Sequence, residues 1–346
     1  MHANVPNMYD GRPTFTGVVY KKTIGNYLVH TNGRALSCEL SNRIRKQLIY
    51  PTADPGSLHH RVQKVVELEH MDPVAVGDEV RYIQAEDGKG LIIELLPRRN
   101  QLTRRSAVPK PLHHGAHPFE QIIVSNVDQV VPVIAAAQPD PKWNLLDRYL
   151  ASAEAGEIPA LICITKLDLV KGHEDELQEA LTEYRQIGYS SVLTSTISGE
   201  GIDELRTALK GRISVMVGKS GVGKTALLNA LQPGLGLRVR EVNQVTGKGR
   251  HTTTNLEMFP LDGGGAIVDT PGTREFGMWD SVDDMALLFS EMRPLVGKCR
   301  FGLDCKHDEE PGCAIRKAVM EGRISPRRYQ SLLSLKEEVI HVRRNL

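Results

Sequence analysis

Gly218-Lys219-Ser220-Gly221-Val222-Gly223-Lys224-Thr225 separates two segments of different periodicity. Before it, Ile213-Ser214-Val215-Met216-Val217 reads as a buried strand; after it, Thr225-Ala226-Leu227-Leu228-Asn229-Ala230-Leu231 reads as the opening of a helix. A glycine-rich turn between strand and helix directs backbone N–H groups into one concavity, where they can cradle phosphate oxygens. The pattern is G-x-x-x-x-G-K-[ST], so Gly218 to Gly223 and Ala226 form the expected cradle. Lys224 then reaches the β- and γ-phosphates, and the Thr225 hydroxyl ligates magnesium. The stretch predicts a bound nucleoside triphosphate and leaves the base open.

The 346 residues predict two or three domains with ample length for a core. Hydrophobic and charged fractions of 40% and 25% are ordinary for a soluble protein. No apolar run approaches the roughly eighteen residues of a membrane span. The N-terminus lacks the basic and apolar blocks of a secretory signal, so the expectation is a cytoplasmic protein with no membrane partner. The net charge of +1 is segregated: +5 over residues 1–118, −8 over 119–290 and +4 over 291–346. Two basic ends flanking an acidic centre are suited to a polyanion, or reflect ordinary variation in surface charge. Five cysteines in such a chain argue against a disulfide framework. Cys38 and Cys163 sit in apolar surroundings and read as packed core thiols.

The first hundred residues read as short strands: Thr14 to Tyr20, Asn26 to His30, Ala35 to Leu40, Val62 to Leu68, Glu79 to Gln84 and Gly90 to Leu96. Asp87-Gly88 is a hairpin signal, and Val76-Gly77-Asp78 a turn fixing entry to a strand. Such strands without helical patterning predict a small β-barrel, first an oligonucleotide/oligosaccharide-binding (OB) type and second an SH3-like one. Arg98, Arg99, Arg104 and Arg105 then read as a linker that either touches a phosphate backbone or is simply solvated.

From Gln121 onward, apolar runs alternate with amphipathic helices, the signature of a parallel α/β sheet. Thr165-Lys166-Leu167-Asp168 closes the apolar run Ala160 to Ile164 and resembles the NKxD guanine-specificity motif of GTPases. A carboxylate at Asp168 accepts two hydrogen bonds from the N1–H and N2 amine of guanine, a donor pair that adenine lacks. Thr165 stands where the usual residue is Asn, a departure expected to cost an amide contact and some affinity. Ser195-Thr196-Ile197-Ser198-Gly199-Glu200-Gly201 resembles the second guanine-contacting loop. Downstream, Ala266-Ile267-Val268-Asp269-Thr270-Pro271-Gly272 is a strand ending in D-x-x-G, with Asp269 expected near magnesium and Gly272 near the γ-phosphate. Between them Gly247-Lys248-Gly249-Arg250-His251-Thr252-Thr253-Thr254 is a basic loop. One of its threonines, taken as Thr253, would complete the magnesium shell. In ordinary GTPases the phosphate loop precedes NKxD. Here the order is reversed, so the chain is expected to be circularly permuted, with the join between Leu209 and Ile213.

Cys299-x5-Cys305-x-His307-x5-Cys313 supplies three thiolates and an imidazole within fifteen residues, the donor set of one structural zinc ion. Ser325-Pro326 opens a helix. Arg327, Arg328, Lys336, Arg343 and Arg344 make its tail basic, as an RNA contact or as a solvated face.

In this order the motifs resemble the circularly permuted, small-ribosomal-subunit-dependent GTPases of the RsgA (YjeQ) family, over nearly the whole chain. The resemblance implies a multidomain fold: an OB-type β-barrel over 1–105, a permuted α/β P-loop GTPase domain over 106–285 and a mainly helical zinc domain over 286–346. It implies GTP hydrolysis with Mg2+, stimulated by the small ribosomal subunit (16S-type rRNA and ribosomal proteins) in late subunit maturation, by a monomer. Many GTPases place a water-orienting Gln directly after D-x-x-G; here that position is Thr273. His251 is then the remaining candidate to orient or deprotonate water, alongside Lys224 at the phosphates. Its other reading is a basic loop residue touching RNA. The competing functions are a nucleotide-gated rRNA-binding module with incidental hydrolysis and a P-loop ATPase.

Overall fold

The computed structural model of the chain describes residues 8–9, 11–23, 25–45, 73–85, 88–105, 120–170, 172, 174–235, 256–269 and 284–344, without the side chains of 8, 45, 104–105, 120–121 and 340–344. The expected strand at 62–68, the loop with His251 and Thr253, and Gly272 with Thr273 lie outside the described residues. Chain contacts divide the protein into two compact units, Met1–Asn126 with Thr253–Phe259, and Val127–Thr252 with Pro260–Leu346.

In the first unit β1 (Met8–Tyr9) pairs with the start of β2 (Arg12–Thr23), followed by β3 (Asn26–Thr31), β4 (Arg34–Leu40), α1 (Asn42–Arg45), β5 (Glu79–Gln84) and β6 (Gly90–Leu95). β2 pairs with β5 from Thr14↔Ile83 to Val18↔Glu79 and with β3 from Val18↔His30 to Thr23↔Asn26. β3 pairs with β4, β4 runs parallel to β6, and β6 returns antiparallel to β5. The circuit β2-β3-β4-β6-β5 therefore closes on itself, which is the expected OB-type barrel.

β2 passes from β5 on its first half to β3 on its second, with Val18 paired to both. A β-carbon at Gly17 would lie 2.5 Å from Val29 Cγ1 and 2.8 Å from the His30 carbonyl oxygen, so only glycine allows this close approach. A register shift between Val19 and Lys21 adds curvature just beyond it. Val19, Tyr27, Val29, Cys38, Val80, Tyr82 and Ile92 fill the interior, with Cys38 a packed thiol as expected.

The turn before β5 is fixed by a buried carboxylate. Asp78 Oδ2 accepts from Ala75 N–H (2.8 Å) and Arg98 Nη2 (2.7 Å). Its Oδ1 accepts from Arg98 Nε and from Ser125 Oγ, both at 2.6 Å. Arg98 is thus a structural clamp rather than a phosphate contact. The segment expected to be a linker is instead a hairpin of β7 (Gln101–Arg105) and β8 (Glu120–Ser125).

The second unit runs β9 (Gln129–Ala135), α2 (Trp143–Ala155), β10 (Leu161–Thr165), α3 (Glu174–Ile187), β11 (Ser190–Leu193), α4 (Ile202–Leu209), β12 (Ile213–Val217) and α5 (Lys224–Leu231). The described chain resumes at β13 (Glu257–Pro260), whose residues up to Phe259 belong to the first unit, where Glu257 pairs with Lys21 of β2; the second unit then continues to β14 (Ala266–Asp269). Strands β11, β10, β9, β12 and β14 lie side by side in that order, all parallel. Alternation along the strands divides two apolar layers. Val131, Val133 and Cys163 pack under α4 and α5, while Ile134, Ile162 and Ile164 pack under α2 and α3.

A third cluster holds the C-terminal residues, with α6 (Ala314–Met320) and α7 (Pro326–Arg344) packing Ile315, Leu332 and Leu335 against Ala151 of α2. Among the described residues no helix is long and apolar enough to cross a membrane.

The start of α7 corrects the expectation of a basic outer face. Arg328 is 1% exposed; its Nη1 donates to Asp147 Oδ1 (2.8 Å), and Nε and Nη2 fork onto Glu291 (2.8 and 2.9 Å). Asp147, in α2 and fully buried, also accepts from Tyr184 Oη of α3 and Ser331 Oγ of α7, both at 2.6 Å. Arg327 donates to Tyr184 Oη (2.8 Å) and Glu183 (2.6 Å) and lies over the Tyr184 ring at 4.9 Å. Removing one partner of a buried, hydrogen-bonded pair strands the other charge. Asp147→Ala should therefore lower unfolding stability by about 3–5 kcal/mol, read in urea titrations; a loss below about 1 kcal/mol would contradict the role given to this network.

Candidate functional site

The C-terminal ends of parallel strands are where open α/β sheets place their ligands. Here β12 delivers Gly218–Thr225 to that edge, β10 delivers Thr165–Asp168, β11 delivers Ser195, and β14 ends on Asp269. The pairing Met216↔Asp269 brings the D-x-x-G aspartate beside the strand end that feeds the phosphate loop.

The loop's glycines are required by its path. Gly221 and Gly223 have φ of +86° and +97°, a region disfavoured for side-chain-bearing residues, and Gly223 caps α5. At Gly218 the constraint is space: a β-carbon would sit 2.6 Å from the Val133 carbonyl oxygen of β9. Lys224 is buried and donates to the carbonyls of Gly218 (2.6 Å) and Lys219 (3.3 Å). Burial lowers its pKa, and Asp269 opposes that shift. Burial likewise raises the pKa of Asp269, and Lys224 opposes it. Asp269 Oδ1 is buried without a hydrogen-bond partner among the described residues. An orphaned carboxylate oxygen beside a phosphate loop fits a hydrated divalent cation there.

Thr165 corrects an expectation. In place of Asn it was expected to forfeit a contact, yet its hydroxyl donates to the Val222 carbonyl within the phosphate loop. A β-carbon on Gly223 would lie 3.6 Å from Thr165 Oγ1 and 3.9 Å from Lys166 Cε, so the two loops touch directly. Lys166 takes a left-handed conformation (φ +59°) and donates Nζ to the Gln138 carbonyl.

Ser195 Oγ donates to Asp168 Oδ1 at 2.5 Å while accepting from the N–H groups of Ile197 and Ser198, both at 3.2 Å. This chain fixes the carboxylate's plane and leaves Oδ2 as the oxygen for another donor. Gly201 makes the loop possible: a β-carbon there would lie 1.8 Å from the Leu193 carbonyl oxygen.

The second constellation is Cys299, Cys305, His307 and Cys313, all buried, with one donor atom from each lying within 4.8 Å of the others. His307 Nδ1 is 3.5 Å from both Cys299 Sγ and Cys313 Sγ, which are 3.9 Å apart. Cys313 caps α6. Burial raises its thiol pKa, but the N–H groups of Arg316 and Ile315, with His307, hold it below the ordinary value. The donor set and spacing suit a tetrahedral metal ion.

Comparison with known proteins agrees with this geometry. Residues 95–279 match the sequence model of the family described as RsgA GTPase. A relative from Bacteroides fragilis, "Small ribosomal subunit biogenesis GTPase RsgA", is 38% identical over 327 residues, covering 93% of this chain and 96% of the relative. The chain belongs to the RsgA GTPase family. Its relative of the same description in Pseudomonas aeruginosa is 43% identical over 266 residues, 76% of this chain and 75% of that protein. Among solved RsgA-family structures, YjeQ from Thermotoga maritima matches with a TM-score of 0.71 and 30% identity, over 94% of this chain and 99% of that one. YloQ, described as a circularly permuted GTPase, matches with a TM-score of 0.67 and 28% identity over 97% and 98%. An RsgA-family protein is a GTP hydrolase, and the permuted motif order is seen here as a sheet filled from β9 outward to β11 before β12 and β14 are added.

Within this RsgA-family site, sequence reasoning did not find Asp284, which sits 2.8 Å from His307 but 23 positions from it in the chain. Nothing in its local sequence marks it.

Because the Gly218 contact is with backbone, Gly218→Ala should destabilise the second unit by about 1–3 kcal/mol, as overpacking does. Gly234→Ala, whose β-carbon would meet nothing within 4 Å, should leave urea unfolding unchanged. Equal stability of the two variants would remove the steric reading.

Proposed function

We propose that this protein hydrolyses GTP in response to the small ribosomal subunit, in the cytoplasm, so that nucleotide state times a binding step in subunit biogenesis. The observation that carries the reading is the convergence of Gly218–Thr225, Thr165–Asp168, Ser195 and Asp269 on one edge of a permuted sheet, in a chain whose relatives are small-subunit biogenesis GTPases. Net charges of +5 over the first 118 residues and +4 over the C-terminal segment suit an RNA partner, met by basic residues other than the internally paired Arg98, Arg327 and Arg328. The division of labour follows the barrel over 1–105, the GTPase domain over 106–285 and the metal domain over 286–346.

In this reading the amides of Gly218 to Gly223 and of Ala226 hold the β-phosphate, and Lys224 moves from the Gly218 carbonyl onto phosphate oxygens. Asp168 Oδ2 accepts from guanine while Ser195 holds Oδ1, with Thr196, Lys166 and Leu167 lining the base. Thr225, Asp269 and Thr253 hold Mg2+, which when bound neutralises charge developing on the transferred phosphoryl group. Gly272 meets the γ-phosphate, and His251 orients the attacking water.

Cys299, Cys305, His307 and Cys313 hold one structural Zn2+. Bonds of about 2.3 Å to sulfur and about 2.0–2.1 Å to nitrogen give tetrahedral edges of about 3.6 Å for S···N and about 3.8 Å for S···S. His307 Nδ1 already stands 3.5 Å from the Cys299 and Cys313 sulfurs, which are 3.9 Å apart, and all four donor atoms lie within 4.8 Å of one another.

The deciding experiment measures GTP turnover with and without isolated small subunits, with ATP as competitor. Stimulation by orders of magnitude and indifference to ATP are expected. A flat rate would leave a nucleotide-gated RNA-binding module, and competition by ATP would overturn the guanine assignment.

Two variants sharpen the residue roles. Thr165→Ala leaves the Val222 carbonyl unpartnered, a loss of about 1–3 kcal/mol, so GTP affinity should fall about five- to hundredfold by fluorescent-nucleotide titration, while Thr165→Asn keeps a donor and most of the affinity. His251→Ala should keep GTP affinity and lose about 10²–10⁴-fold in subunit-stimulated turnover, the range for a positioned acid or base; undiminished stimulated turnover would exclude it.

A further inference from the structure

We infer that Asp284 is the carboxylate that orients His307 in the metal site, and that His307 ligates through Nδ1. This rests on reading the Cys3His cluster as a zinc site. The ring is 1% exposed, and its two nitrogens face different chemistry. Nδ1 lies 3.5 Å from two cysteine sulfurs, while Nε2 lies 2.8 Å from Asp284 Oδ2. Only Nδ1 can reach an ion shared with the thiolates, so Nε2 carries the proton and donates it to the carboxylate. A hydrogen bond of this kind fixes tautomer and ring plane and raises ligand basicity.

Asp284 is itself held on both oxygens. Its Oδ1 accepts from the Ala286 N–H at 2.9 Å, capping a short helical turn. Oδ2 is thereby aimed at the ring by backbone rather than by a free rotamer.

The rest of the His307 surroundings serve the same end. His307 sits at φ +60°, an uncommon conformation for a residue with a side chain. Glu310 accepts from the N–H groups on either side, Lys306 at 3.0 Å and Asp308 at 2.9 Å. Tyr329 Oη of α7 donates to the His307 carbonyl at 2.8 Å. The backbone is thus clamped before and after the ligand, the ring is clamped by Asp284, and one nitrogen is left for the ion.

The test uses the full-length protein. Asp284→Asn preserves shape but can present only one acceptor oxygen, so it satisfies either the Ala286 N–H or the ring N–H and not both. Competition with a chromogenic zinc chelator should show affinity lower by about 10–100-fold, the usual effect of losing such a partner, with far-UV circular dichroism of the zinc-loaded variant unchanged. Histidine-¹⁵N NMR of the zinc-loaded wild-type protein, with His307 identified by loss of its signals in His307→Gln, should show a metal-bound Nδ1 and a protonated Nε2. Wild-type zinc affinity in Asp284→Asn, or ligation through Nε2, would overturn the inference. A wild-type chain that binds no zinc would instead remove the metal reading beneath it.

Discussion

The second unit depends on seating β12 between β9 and β14, because every phosphate-facing motif takes its position from that strand. The chain reaches this place from the sheet's edge: β11 is outermost, and α4 must carry the chain back to the centre. Only Lys210-Gly211-Arg212 separate α4 from β12. The joint is closed on both sides. Asp128 N–H donates to the Ile213 carbonyl at 2.9 Å, and Asp128 Oδ2 accepts from Ile213 N–H at 2.8 Å. Gln129 accepts from Arg212 (2.9 Å) and donates to Ser214 Oγ (2.9 Å) and the Ala208 carbonyl (3.1 Å). On the far side, Gly211 N–H meets the Gly264 carbonyl and Ala266 N–H meets that of Arg212, each at 2.9 Å. The backbone N–H groups of the join, from Lys210 to Ile213, thus all find acceptors, as a segment beside a buried sheet requires.

The Arg328–Asp147–Glu291 network ties α7, and with it the Cys3His cluster, to α2 of the α/β sheet. Desolvating three charges is expensive, and apolar residues would serve stability as well. The charges specify one arrangement instead: Asp147 accepts from α7 twice and from α3 once, so α2, α3 and α7 share a single registry. The metal site is built on the same helix α7 through Tyr329. A change at the Cys3His cluster therefore acts on helices already packed under β9 and β10.

Much of this was legible in the sequence. The strand Ile213–Val217 and the helix opening behind the phosphate loop followed from periodicity, and the barrel from short strands with turn signals. Motif order exposed the permutation because it depends on chain sequence alone. What escaped was whatever depends on distant pairing. Arg327 and Arg328 look like a basic face until Asp147 and Glu183, more than 140 positions away, are brought to them. Arg98 looks like a linker residue until Asp78 accepts its fork. Thr165 looks like a lost contact because a motif compares side chains, whereas the structure needs only a donor aimed at the Val222 carbonyl.

That last case bears on how the site can work at all. Lys224 and Asp269 are both buried, and each sustains the other's charged form against the desolvation that opposes it. In the proposed reading, a guanine nucleotide with its cation would bring acceptors stronger than the Gly218 and Lys219 carbonyls to Lys224, and a positive charge to the Asp269 oxygen that has no partner among the described residues. The favourable terms fall on the same two groups from opposite sides, so phosphate and cation binding reinforce each other. Thr165 and Ser195 extend this preorganisation to the base, since one fixes the phosphate loop against β10 and the other fixes the plane of Asp168. In the proposed reading, two hydroxyl groups thus preorganise the parts that would meet the base and the phosphates.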